Sequence, residues 1–193
     1  MGPTATIASP KRGAITRAAI LDRAADLASV EGLEGLTIGR LASEMGMSKS
    51  GLFGHFGSKQ ELQLATVDAA AERFAAEVVR PALEAPEGAP RLRAMCDGYL
   101  AYLESEVFAG GCFWAASSVE FDGRPGPVRD RVRDAVDRWL ATLAKLARGA
   151  SVDDPEQLAF ELHCIGQGAN QRFQLGDAKA HARARTGFER LLP

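Results

Sequence analysis

Between Thr37 and Leu62 the sequence TIGRLASEMGMSKSGLFGHFGSKQEL sets helix starts and helix breaks so close together that only short helices joined by tight turns satisfy it. Ile38, Leu41, Ala42 and Met45 repeat apolar residues at i, i+3, i+4 and i+7, which turns one stripe of a helix inward after a start signal at Thr37. Gly46 breaks that helix. Ser48 supplies an N-cap for the next one, in which Leu52 and Phe56 stand four residues apart on the side to be buried. Ser58 and Glu61 then form an S-x-x-E capping box that starts a third, longer helix.

Burying Leu52 and Phe56 leaves Lys49, Ser50, Gly51, Phe53 and His55 facing outward or sideways, a small, polar and basic surface. Such a surface suits a helix lying in the major groove of DNA, where bulky side chains at its N-terminal end would hold the backbone away from base edges and phosphates. Two helices around a glycine-containing turn also occur as plain packing units, so more specific residues have to carry the reading. The run Ser48-Lys49-Ser50-Gly51-Leu52-Phe53-Gly54-His55-Phe56-Gly57-Ser58-Lys59-Gln60-Glu61-Leu62 resembles the recognition helix and following helix start of the TetR family of bacterial transcriptional regulators. The resemblance extends back through Ile20, Ala24, Leu27 and Ala28, Gly32-Leu33 and Leu36-Thr37-Ile38, covering roughly the first third of the chain.

The resemblance implies roles for individual positions. Thr37 matches a backbone-phosphate contact at a helix start, where a hydroxyl and free N–H groups meet an anion. Ser48, Lys49 and Ser50 match the start of the helix that reaches into the groove, Gly51 a point of close approach, and His55 and Lys59 phosphate clamps. Phe53 departs from the commoner family tyrosine, so a phenolic bond to phosphate is replaced by apolar contact, for instance with a thymine methyl. Gly54 stands where many relatives carry an aromatic.

With 193 residues, 46% of them hydrophobic, the chain has enough apolar surface for a proper core. A net charge of −2 is unexpected for a DNA binder, but it is unevenly spread: residues 1–60 sum to +2 and residues 61–193 to −4. We therefore expect a flexible arm at 1–13, a helix-turn-helix DNA-binding domain at 14–60, and a helical effector-binding and dimerisation domain at 61–193. Lys11, Arg12 and Arg17 could add phosphate contacts or belong to a solvated tail. Cys96, Cys112 and Cys164 are scattered and odd in number, which fits neither a disulfide framework nor a zinc motif and suits a reducing cytoplasm. No apolar stretch is long enough for a membrane span.

Beyond the head the pattern is helix after helix, and the predicted fold class is all-α. A long helix from Ser58 should stop at Pro81. Others should carry Tyr99 and Leu103, then Phe113 and Trp114, then Val132, Val136, Trp139, Leu140 and Leu143, with Asp154-Pro155 opening the next and a last one carrying Phe188 and Leu191. The mid-helix glycines Gly166 and Gly168, beside Ala169, suggest that another backbone comes close. The resemblance implies that the last two helices pair across a two-fold axis, with Leu162, Gly166, Ala169, Phe173 and Phe188 at the interface, so that two heads read a palindrome. It also implies an effector pocket, for which Phe113, Trp114 and Trp139 are the candidates among aromatics that otherwise serve as core.

The expected function is a homodimeric repressor on a palindromic double-stranded operator, released when an unknown small-molecule effector tilts the fourth helix and spreads the heads. The rival is a helical small-molecule-binding or scaffold protein with a degenerate head, motivated by Phe53 and Gly54. No nucleophile motif, phosphate-cradling loop or metal-ligand spacing supports an enzyme, a metal or a cofactor.

Overall fold

The computed structural model describes residues 12–193, with side chains from Arg17 onward. Residues 1–11 of the expected arm, and the side chains of Lys11 and Arg12, lie outside the described residues. The elements are α1 (Arg12–Glu31), α2 (Ile38–Glu44), α3 (Lys49–Phe56), α4 (Lys59–Phe74), a π-helical turn (Ala75–Val79), α5 (Arg80–Leu83), α6 (Ala89–Glu104), α7 (Phe113–Phe121), α8 (Pro127–Gly149), α9 (Pro155–Gln174) and α10 (Ala180–Leu191), with no strand among the described residues.

The predicted starts are met atom by atom. The hydroxyls of Thr37 and Ser58 accept from the N–H groups of Arg40 and Glu61, each at 3.0 Å, and the carboxylate of Asp154 accepts from Gln157 at 3.0 Å. Each such cap contributes about 1 kcal/mol. At the end of α2, Gly46 takes φ +63°, and the Met47 N–H returns to the Ala42 carbonyl at 2.9 Å. This closure needs a left-handed residue, which any side chain at 46 would strain by about 1–2 kcal/mol.

Pro81 does not stop the fourth helix. The turn before it widens so that the Arg80 N–H reaches back five residues to Ala75, and the helix runs on to Leu83. A π turn makes room for a ring that would clash with the carbonyl four residues back in an ordinary α-helix. The N-terminal core is chiefly aliphatic, built from Ile20, Leu27, Leu33, Leu36, Leu41, Leu52 and Leu62 with Phe56. Beyond α4 it turns aromatic: Phe74 meets Tyr102 edge-on at 5.0 Å and Trp139 at 5.1 Å, and Tyr99 lies 5.0 Å from Trp139.

Head and body are joined at identifiable points. The Glu120 carboxylate on α7 accepts from the N–H groups of Leu33 (2.6 Å) and Glu34 (3.1 Å), in the loop between α1 and α2. Nearby, the Gly110 N–H donates to the Ser29 hydroxyl at 2.9 Å, and a Cβ at 110 would run into the Ser29 carbonyl. Arg73 on α4 pairs with Asp26 at 2.7 Å and covers the Phe108 ring at 4.9 Å.

Candidate nucleic-acid interface and effector cavity

Helix α3 buries Leu52 and Phe56 against the head and leaves Ser48, Lys49, Ser50, Gly51 and Phe53 exposed, with His55 half-buried. The Ser48 hydroxyl accepts from the Gly51 N–H at 3.1 Å, so the first-turn N–H groups of Lys49 and Ser50 lack a helical acceptor and remain open to an anion. Thr37, also exposed, begins α2 beside them in the fold, and the stem of Lys49 lies over Gly39 of α2. Phe53 presents 55% of its surface to solvent, an apolar group that nothing among the described residues covers. A Cβ at Gly54 would meet no atom within 4 Å among the described residues, so packing there does not account for the glycine.

The cations of the head are mostly engaged. Arg40 binds Glu31 and, at 2.7 Å, Glu44, while Arg23 also pairs with Glu44. The hydrogen bonds from Arg23 and Arg40 hold the Glu44 carboxyl below its ordinary range. Lys59, expected as a phosphate clamp, donates to Glu34 at 2.6 Å instead. That bond, with a second from Gln63 at 3.3 Å, lowers the Glu34 pKa. A phosphate has to compete with this carboxylate for Lys59. The sequence pattern did not signal the competition, because Glu34 lies 25 residues away in the α1–α2 loop. Arg17, whose guanidinium sits 4.7 Å over the Phe56 ring, is thereby held beside α3.

A cavity of about 210 Å³ opens in the body, walled chiefly by Phe74, Tyr99, Trp114, Trp139, His163 and Gln167. Of the three pocket residues expected, Trp114 and Trp139 line it. Phe113 does not: it is 1% exposed and fills the core against Phe108 at 5.6 Å. Gln167 donates to the Tyr99 hydroxyl at 3.1 Å across the cavity wall. Burial holds the Tyr99 phenol well above its usual pKa and the His163 imidazole below its own, so both are uncharged near neutrality. The two buried thiols are raised in the same way, Cys96 to about 12. Among the described residues no group of three His, Cys, Asp or Glu side chains is gathered to hold a metal.

The residues expected at a dimer interface divide. Leu162, Gly166 and Phe188 turn into their own protomer: the Gly166 position faces the Tyr99 ring, and Phe188 lies 6.4 Å from that ring. The absent Cβ at 166 therefore makes room for an aromatic of the same chain, not for a second backbone. Ala169 is 8% exposed at the base of a shallow groove between α9 and α10. Phe173 is 41% exposed, stacked on His181 at 4.3 Å. What α9 and α10 present outward is a different row, Phe160, Cys164, Ile165, Gly168 and Leu191, with Phe160 56% exposed and Gly168 open. Helical spacing alone does not say which face of α9 the rest of the body covers.

Short capped helices holding an exposed, polar second helix ahead of a helical body with an apolar cavity define a helix-turn-helix DNA-binding protein with a ligand-binding C-terminal domain. Residues 20–66 match the family "Bacterial regulatory proteins, tetR family", and residues 88–188 match "Tetracyclin repressor-like, C-terminal domain". The chain belongs to the TetR family of transcriptional regulators. It is similar to a TetR regulator from Chloroflexus aurantiacus, at 26% identity over 94% of both chains with a TM-score of 0.79. A TetR-family regulator from Streptomyces coelicolor is 23% identical, with 91% of this chain and 94% of that one covered and a TM-score of 0.80. AibR, solved with isovaleryl coenzyme A and operator DNA, is 21% identical over 91% of this chain and 97% of its own, with a TM-score of 0.71. No curated protein sequence matches the chain. No described helix is long and apolar enough to cross a membrane.

Proposed function

We propose that this regulator is a homodimeric repressor whose two α3 helices read the halves of a palindromic operator, and that a small molecule in the α4–α9 cavity releases it. The observation that carries the reading is that one short helix serves both ends. Trp114 of α7 lines the cavity, and Glu120, less than two turns further on, holds the α1–α2 loop of the head by two N–H bonds. A ligand that shifts α7 shifts the support of the head. AibR, which binds both isovaleryl coenzyme A and operator DNA, is consistent with a two-site scheme on this fold.

In this reading Thr37, Ser48, Lys49 and Ser50 contact DNA directly, Gly51 allows close approach, Phe53 adds an apolar base contact, and His55 and Lys59 hold phosphates. The second copy docks on the outward row of α9 and α10 around Phe160, Cys164 and Gly168, where small and apolar residues allow close packing. Half-sites then lie about 34 Å apart along one face of the duplex.

Footprinting of the full chain on genomic fragments tests this. The expected result is a discrete palindromic footprint whose affinity falls steeply with salt. Protection without site preference at any salt concentration would favour the rival, a helical binding protein with a degenerate head. Sedimentation of Phe160→Asp should give monomers if the outward row is the interface, and an unchanged dimer would move the interface elsewhere.

A further inference from the structure

The effector cavity has an unusual charge balance. Arg138 is its one formally charged lining residue, and no Asp, Glu or Lys borders it. Arg138 is also exposed, which puts it where the cavity meets solvent. On the same helix Arg129 and Arg133 pair with Asp130, Arg131 with Asp68 at 2.5 Å, and Arg148 with Glu156. Arg138 has no ion-pair partner among the described residues. An arginine without a carboxylate partner among the described residues, at the mouth of an apolar hole and on a helix where every other arginine is paired, suits an anion.

The walls specify the rest of the ligand. Trp114 and Trp139 are the two tryptophans of the chain, and with Phe74 they offer flat apolar surface. The Arg138 guanidinium, which carries donors and no acceptor, favours a guest with acceptor oxygens over one with donors only. At about 30 Å³ for each water-sized group, the cavity holds roughly seven such groups, with the acidic end projecting to Arg138 at the open side.

We infer that the cavity takes a compact apolar carboxylate, a medium-chain or arylalkanoic acid, its hydrocarbon body between the tryptophans and its carboxylate on Arg138. This rests on the effector reading proposed above and narrows it to a charge and a size.

Because both tryptophans line the cavity, intrinsic fluorescence of the full chain reports occupancy without any DNA. Titrations with octanoate, octanol and octylamine share one hydrocarbon and differ in the head group. Octanoate should change the emission saturably and bind about tenfold or more tighter than octanol, since a hydrogen bond to a charged group contributes about 1.5–3 kcal/mol. Octylamine should not saturate. Arg138→Gln should reduce octanoate to the level of octanol and leave octanol binding unchanged, which also shows that the variant is folded. Equal affinities for octanoate and octanol, preference for the amine, an octanoate affinity indifferent to Arg138→Gln, or no saturable binding by any of the three would each overturn the inference. The same titrations with a fluorescent operator separate the two proposals. If octanoate binds through Arg138 without releasing DNA, the ligand class stands and the release mechanism fails.

Discussion

The head and the body of this regulator are both helical and are filled in opposite ways. The head core is chiefly aliphatic, with Ile20, Leu27, Leu33, Leu36, Leu41, Leu52 and Leu62 none above 5% exposure and Phe56 its one buried ring among the described residues. The body core sets among its own leucines and valines a cluster of rings, Phe74, Tyr99, Tyr102, Phe108, Phe113, Trp114, Trp139 and Phe188. Branched aliphatic chains interdigitate between short helices and leave little room, whereas rigid rings meet edge-on and leave a hole between α4, α6, α8 and α9. The difference fits the proposed division of labour: the part that would present an unchanging surface to DNA is tightly filled, and the part that would respond to a ligand has space.

The most damaging test of that contrast is Leu52→Ala, which hollows the support of α3 and should cost about 2–5 kcal/mol, read by denaturant unfolding, with DNA binding lost in parallel. In the body the informative pair is Gly166→Ala against Gly168→Ala. The first pushes a methyl into the Tyr99 ring and should destabilise by about 1–3 kcal/mol. The second meets open space and should stabilise an isolated protomer by up to about 1 kcal/mol. Equal effects would mean that the facing of α9 has been misread.

Glu120→Gln tests the join between the two regions. It weakens two bonds to backbone N–H groups and should lower stability by about 1–2 kcal/mol, while effector binding, followed by tryptophan fluorescence, no longer moves DNA affinity. Retained coupling would locate the connection in α4 instead. Glu34→Gln frees Lys59 from its carboxylate. Operator affinity should rise, and the slope of log affinity against log salt should steepen by about one.

The smallest effect expected is in pH dependence. His163 and His181 both have pKa values lowered by burial, so the unfolded chain binds protons more readily than the folded one. Their contribution to stability is complete above the unfolded-state pKa near 6.5 and is lost as pH falls below it. His163→Gln should flatten the stability profile between about pH 7 and 5.

Much of the head was legible because its signals are local. A cap hydroxyl, a glycine in a left-handed turn and an apolar pair four residues apart each act within one turn of helix, and Thr37, Gly46, Ser48, Leu52, Phe56 and Ser58 behave as their spacing implies. What escaped depends on neighbours distant in sequence. Nothing around Glu120 announces that it will hold the loop at Leu33, nor around Glu34 that it will engage Lys59. Gly166 looked like a contact with a second chain because a helix-interior glycine reveals that something comes close but not whose atoms they are. Pro81 failed as a terminator because a π turn is a tertiary accommodation: the wider ladder keeps Val78 and Ala82 in the core. Trp114 and Trp139 line the cavity while Phe113 does not, a distinction set by the direction of α7 and not by residue type.

The closed network of Arg23, Arg40, Glu31 and Glu44 has a kinetic consequence. Cations already satisfied by their own chain project little field into solvent, so the duplex is not drawn in from afar. Encounter should proceed near the unsteered range of about 10⁵–10⁶ M⁻¹ s⁻¹, and residence on DNA, not speed of arrival, then sets how long a site stays occupied.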